Sequence, residues 1–159
     1  MPISKGDHLF QAADALTLAG LSRAQLREWC GKGRRMIIEP DISAQGSGRV
    51  ALYSWRTLVV LRVLHHLQAR YGIEVSAWAG AAAEFRIGLE ACSFLAAWQY
   101  AAQFGSNRTC TLIADAQPPA TLDGLFLPLE PHMAPMAAAM AIPRPDQLSL
   151  LPLAAVVGR

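Results

Sequence analysis

Charge is scarce in this chain, cysteines are few and unpaired, and no long apolar run is present. Only 16% of the 159 residues are charged while 53% are apolar, the reverse of what a disordered chain needs. Ten prolines and twelve glycines are too few and too scattered for a collagenous or low-complexity chain. The three cysteines, Cys30, Cys92 and Cys110, are odd in number, widely spaced and without a CxxC pair. That spacing excludes a Cys-rich zinc module and reads against a disulfide framework. They read as small hydrophobes in a reducing compartment, with metal or redox sensing by Cys92 or Cys110 as the alternative. The longest apolar runs, such as Met136 to Ile142, stop far short of the ~20 residues of a membrane span. Met1 to Asp7 has no apolar segment of the kind a secretory signal needs. The expectation is a cytoplasmic, nucleoid-associated chain with no membrane contact.

Catalytic signatures are missing as well. No Ser-His-Asp set, paired carboxylates or nucleotide loop appears, so no residue is assigned to catalysis, to a metal or to a cofactor. Gly46-Ser47-Gly48 lacks the Lys-Ser/Thr and the helix that a phosphate loop requires, and reads as a hairpin tip. His65 and His66 lie mid-helix with no Asp, Cys or His partner spaced to join them, so they read as ordinary imidazoles. The expectation is a protein that is not an enzyme.

What is present is an asymmetry of charge. Residues 1–70 carry ten Lys/Arg against five acids, a net +5, and residues 71–159 carry four against seven, a net −3. Eight of the first ten cations are arginine, whose planar fork suits phosphates and guanine edges. This fits a nucleic-acid-binding head joined to a second module, although a solvated surface would look the same.

Along the chain, Asp7 or a neighbour opens a helix through Phe10, Ala13, Leu16 and Ala19, which Gly20 closes. Ser22 caps a second helix from Arg23 to about Cys30, with Leu21, Leu26 and Trp29 inward. The two helices and their tight turn read as a helix-turn-helix. Strands at 35–39 and 49–53 around a Gly46-Ser47-Gly48 tip read as a hairpin, the wing. Ser54 caps the strongest helix, Trp55 to Tyr71, which Gly72 ends. A helix from Val75 towards Leu89 follows, and 91–104 reads as another helical stretch, with no Gly or Pro inside 89–104. Strands are expected at 109–114, 124–129 and 148–157. The Met/Ala/Pro-rich piece between Pro131 and Pro145 reads as a loose connection or a short helix at 136–141. The fold class is α+β: a mainly helical head with a two-stranded wing at 7–74, then helices and a small β segment at 75–159.

The stretch from Leu16 to Leu61 carries the functional signal. The second helix would expose Arg23, Ala24, Gln25, Arg27 and Glu28, with Lys32, Arg34 and Arg35 at its end and Arg49 on the wing. Gly20-Leu21-Ser22, Leu26-Arg27-Glu28-Trp29, Lys32-Gly33, Tyr53-Ser54, Leu58 and Leu61 together resemble the MerR family of winged helix-turn-helix transcription regulators. The resemblance covers about residues 8–85. It implies duplex-DNA binding, with the arginine and aromatic at Arg27 and Trp29 and the wing arginine Arg49 against the DNA backbone. Electrostatic contacts are expected from Arg27, Lys32, Arg34, Arg35, Arg49 and Arg56, and base reading from Arg23 and Gln25, with Tyr53 in the same DNA-facing set. Four features depart from the family pattern, one being a long wing tip. Arg34-Arg35-Met36 replaces its usual route into the wing, Ala51 stands where its wing arginine usually sits, and its long dimerisation helix with effector cysteines is not evident beyond residue 105.

Other readings compete. Trp29 could be core packing rather than a phosphate contact. Trp55, Trp78 and Trp98 read as core anchors, and Trp78 with Phe85, or Phe94 with Trp98, as the lining of a small-molecule pocket in the alternative. An excisionase-like architectural protein would use the same fold to bend DNA, and a protein-interaction module would use the apolar residues 106–159 to hold a partner. Three thin strands with two open edges need cover, so a homodimer through residues 89–157 is expected, with the basic heads outward.

Overall fold

The computed structural model describes residues 8–33, 36–44, 48–114 and 123–143. Leu9–Gln11 forms a short strand, β1, and runs directly into α1, Ala12–Ala19. The apolar spacing through Phe10 suggests one longer helix, yet residues 9–11 are extended. Their backbone pairs antiparallel with β2, Leu52–Ser54, in the register Phe10 opposite Tyr53, and both rings are buried. A distant partner overrides the local period.

The turn after α1 follows its local chemistry. Gly20 adopts φ +74° and donates to the Leu16 carbonyl, while the Leu21 amide reaches the same oxygen at 3.0 Å. A left-handed residue here favours glycine. Ser22 then caps α2, Arg23–Cys30, through a reciprocal pair. The Gln25 amide donates to Ser22 Oγ at 3.1 Å, and the Ser22 amide donates to Gln25 Oε1 at 2.9 Å. Such a box contributes about 1 kcal/mol to a helix.

After α2 the expected hairpin does not form as such. The Ile37 and Ile38 amides both donate to the Trp29 carbonyl, at 2.7 and 3.1 Å, folding the chain back onto the end of α2. Residues 36–39 are therefore not a strand, and neither are 49–51. One antiparallel bridge, Ile42 to Leu52, is what remains of a two-stranded wing among the described residues. The amides of Ile37 and Ile38 are spent on the Trp29 carbonyl rather than on a partner strand, while β1 lies on the opposite edge of β2 from Ile42. The expected tip at Gly46-Ser47 lies outside the described residues.

Helix α3, Trp55–Tyr71, is the axis of the molecule. Ser54 accepts from the Thr57 amide at its start, and Gly72 closes it on the Gln68 carbonyl. Leu58 to Leu61 are four consecutive residues with no exposed surface, so the helix is apolar on all sides in its first half. That fits its position, with α1, β2 and two later helices against it. Each fully buried aliphatic side chain contributes about 1.5–3 kcal/mol.

A 3-10 turn at Val75–Trp78 leads into α4, Ala79–Glu90. The expected continuous helix at 91–104 is broken. Only Phe94–Ala97, α5, is helical, capped by Ser93, and Ala101–Phe104 is a strand, β3. β3 is the central strand of an antiparallel sheet, with β4, Cys110–Ile113, on one side and β5, Leu125–Pro128, on the other. Alanine's helix propensity is worth only a fraction of a kcal/mol per residue, and two neighbouring strands outweigh it. Helix α4 covers this sheet at close range. A Cβ on Gly88 would lie 2.9 Å from a Leu112 methyl carbon, so glycine is what lets the layers approach. The strands expected at 109–114 and 124–129 are present as β4 and β5, while 148–157 lies outside the described residues.

The Pro-rich piece holds a ten-residue helix, α6, Glu130–Ala139. Pro131 lies in its first turn, where no amide is needed, and Pro135 lies inside it. His132, Met133 and Met136 bury that helix against α3. One continuous cluster of buried side chains runs from Phe10 to Ala137, so the parts before and after residue 75 share a core. The architecture is α+β with two small antiparallel sheets.

Candidate nucleic-acid interface

Helix α2 is two-sided. Leu26, Trp29 and Cys30 face inward and are buried, while Arg23, Ala24, Arg27 and Glu28 are exposed. Arg23 and Arg27 are four residues apart and so share a face. Lys32 follows, also exposed, just past the helix end. Arg49 is exposed on the arm that returns from the Ile42–Leu52 bridge. Among the described residues, no acid pairs with Arg23, Arg27, Lys32 or Arg49. These four cations are available to an anionic surface.

The other expected contacts fare differently. Trp29 is 4% exposed, so its ring is core and offers no face to a DNA backbone. Tyr53 is equally buried, opposite Phe10, and burial together with Cys30 pushes its hydroxyl up to about 12. Arg56 faces the interior. Its guanidinium lies 4.5 Å from the centre of the Trp55 ring, and it donates to the carbonyls of Leu89 at 3.0 Å and Cys92 at 3.2 Å. It ties the start of α3 to the turn that follows α4, and that is a structural role. Gln25 is half-buried, with its oxygen in the cap of α2 and its nitrogen 3.4 Å from Gln68 Oε1. Its amide is engaged at both ends. Arg34 and Arg35 lie outside the described residues.

No family model and no curated protein matches this chain.

Other chemistry in the molecule is sparse. Burial pushes the thiols of Cys30 and Cys110 up to about 12, so both stay protonated and unreactive at neutral pH. Among the described residues, no group of three or more His, Cys, Asp or Glu could hold a metal ion, and no helix is long and apolar enough to cross a membrane. A shallow cavity of about 290 Å³ is lined by His8, Phe10, Asp14, Thr17, Leu18 and Ala139, away from α2. The aromatic pairs Phe85–Phe104 and Phe94–Trp98 make edge contacts in the core and line no described cavity.

Sequence reasoning missed two groups. Arg62 donates to the Leu18 carbonyl at 2.9 Å, closing the end of α1, and burial lowers its pKa. Asp41 and Arg86 form a half-buried ion pair at 2.9 Å. Their separation along the chain left no local signal.

Proposed function

We propose that this chain is a double-stranded DNA-binding transcription regulator of the winged helix-turn-helix type, similar to the MerR family. In this reading α1 and α2 act as the helix-turn-helix, α2 enters the major groove, and the loop 42–52 lies on the sugar-phosphate backbone. The carrying observation is the polarity of α2, with an apolar face in the core and Arg23 and Arg27 exposed on the other. Ser22 and Gly20 support the same reading, because they hold α2 rigidly at the surface.

Arg23 lies in the first turn, the part of a recognition helix that reaches base edges, and would read guanine. Arg27, Lys32 and Arg49 would bind phosphates. Three phosphate contacts give a salt dependence of about −3 in log K against log salt, a modest hold for one head. The chain would therefore act as a two-fold dimer, with residues beyond α4 supplying the interface. It would work by binding, not by catalysis.

The deciding experiment is fluorescence titration of the full chain against genomic fragments at about 50–100 mM salt, with sequencing of the fragments retained. A shared motif among them supports the reading, and no retention at the lower salt ends it. Sedimentation with and without DNA tests the dimer, and a chain monomeric in both ends that part.

A further inference from the structure

One ionic node closes the seam between α4 and the segment that follows α2. The side chains of Asp41 and Arg86 are 12% and 22% exposed there. Asp41 Oδ2 accepts from the Ser54 amide at 2.6 Å and from the Thr57 hydroxyl at 2.7 Å. Its other oxygen, Oδ1, accepts from Arg86 Nη2 at 2.9 Å, and Arg86 Nη1 donates to the Glu39 carbonyl at 2.8 Å. Glu90 lies 3.8 Å from Arg86 Nε and holds the guanidinium along its own helix. The residue after Asp41 is Ile42, whose amide and carbonyl exchange hydrogen bonds with Leu52 at 3.1 and 2.9 Å. That pair is the base of the loop bearing Arg49.

We propose that Arg86 is a positioning residue for DNA binding, through which α4 fixes the Ile42–Leu52 pair and with it the presentation of Arg49, three residues before Leu52. The proposal rests on the DNA-binding reading above. Two donors of one planar fork engage two points on the same segment, Glu39 and Asp41, and a lysine cannot reproduce that grip. Without Arg86, Asp41 still holds Ser54 and Thr57, so α3 keeps its start. What is lost is the tie of segment 39–42 to α4. With Arg86 in place, a displacement of α4, or of the sheet packed on it, reaches Arg49 without any residue after 75 touching DNA.

The test uses the full chain with Arg86→Ala, Arg86→Lys, Arg49→Ala and the Arg86→Ala/Arg49→Ala double variant. The probe is a labelled genomic duplex that the wild type retains, titrated across a salt series. Arg49→Ala is expected to weaken binding about tenfold in the wild type and hardly at all on the Arg86→Ala background. Arg86→Lys should restore part of the difference. In the free protein, Arg86→Ala should speed amide hydrogen exchange at Ile42 and Leu52 about tenfold while Leu61 and Leu64 stay protected. An equal cost of Arg49→Ala on both backgrounds, or unchanged exchange at Ile42 and Leu52, overturns the proposal. Faster exchange with no duplex retained by the wild type overturns the DNA-binding reading, and with it the role in DNA binding, while supporting the grip of Arg86 on the loop.

Discussion

Arg23, Arg27 and Arg49 stand in solvent, while Arg56 and Arg62 on α3 and Arg86 on α4 turn inward, Arg70 at the end of α3 staying exposed. Arg56 donates to the carbonyls of Leu89 and Cys92, Arg62 to that of Leu18, and Arg86 to that of Glu39. Each of these three guanidiniums ties its helix to the backbone of another segment through charge-assisted hydrogen bonds. An arginine-rich stretch is therefore two populations. One is built into the fold, and the other is left over for a partner.

The contrast can be broken most forcefully from the inside. Phe85 has no exposed surface and touches Phe104 edge-on. Phe85→Ala should cost about 3–5 kcal/mol in chemical denaturation. An effect below about 1 kcal/mol would mean that α4 and the sheet do not share a core with α3.

Acid should act on the inner region next. His132 is buried against His66, and burial followed by the charges of His66 and Arg62 lowers its pKa from 6.5 to about 4. The folded state thus favours the neutral ring. Its contribution is complete above about pH 6.5 and drains away as the pH falls towards 4, by about 3 kcal/mol in all. His132→Gln should flatten that part of the stability profile. A variant that loses stability between pH 6.5 and 4 as steeply as the wild type would show that His132 is not the group responsible.

Two single substitutions then sharpen the comparison. Arg56→Ala should lower stability by about 1.5–3 kcal/mol, because it removes the charged donor that ties the start of α3 to the Leu89 and Cys92 carbonyls. The salt slope of DNA binding should be unchanged. Arg27→Ala should do the opposite, shifting stability by no more than about 0.5 kcal/mol and lowering the salt slope by about 0.9. Thermal melts beside salt-series titrations check both, and exchanged outcomes would mean that exposure is a poor guide to which arginine serves which purpose.

Much of this was legible where the cause is local. Gly20, Ser22, Ser54 and Gly72 announce helix ends through their own side chains or lack of one, and α1, α2 and α3 begin or stop at those signals. The misread pieces are those whose state is set by distant chain. Leu9–Gln11 looks helical until Leu52–Ser54 pairs with it, and Ala101–Phe104 until β4 and β5 flank it. The site divides in the same way. The exposure of Arg23 and Arg27 follows from helical spacing alone. The burial of Trp29 and Tyr53 and the inward turn of Arg56 depend on Phe10, Ile37, Leu89 and Cys92, which no window around them contains.

The double acceptance at the Trp29 carbonyl also has a consequence for tolerance to insertion. With the Ile37 and Ile38 amides both bound there, the chain between Gly31 and Met36 is a tether pinned at each end. Lengthening a pinned tether costs only about 0.6 kcal/mol per doubling of its length, provided both pins hold. Added residues between Gly33 and Met36 would give up the Met36 amide's bond to the Gly33 carbonyl at 3.3 Å and leave the register of α2 untouched. An insertion between Trp29 and Gly31 would instead compete for the carbonyl itself and rotate everything downstream. That short tether is where related chains could vary in length, and where a graft could carry extra contacts to a ligand held by α2.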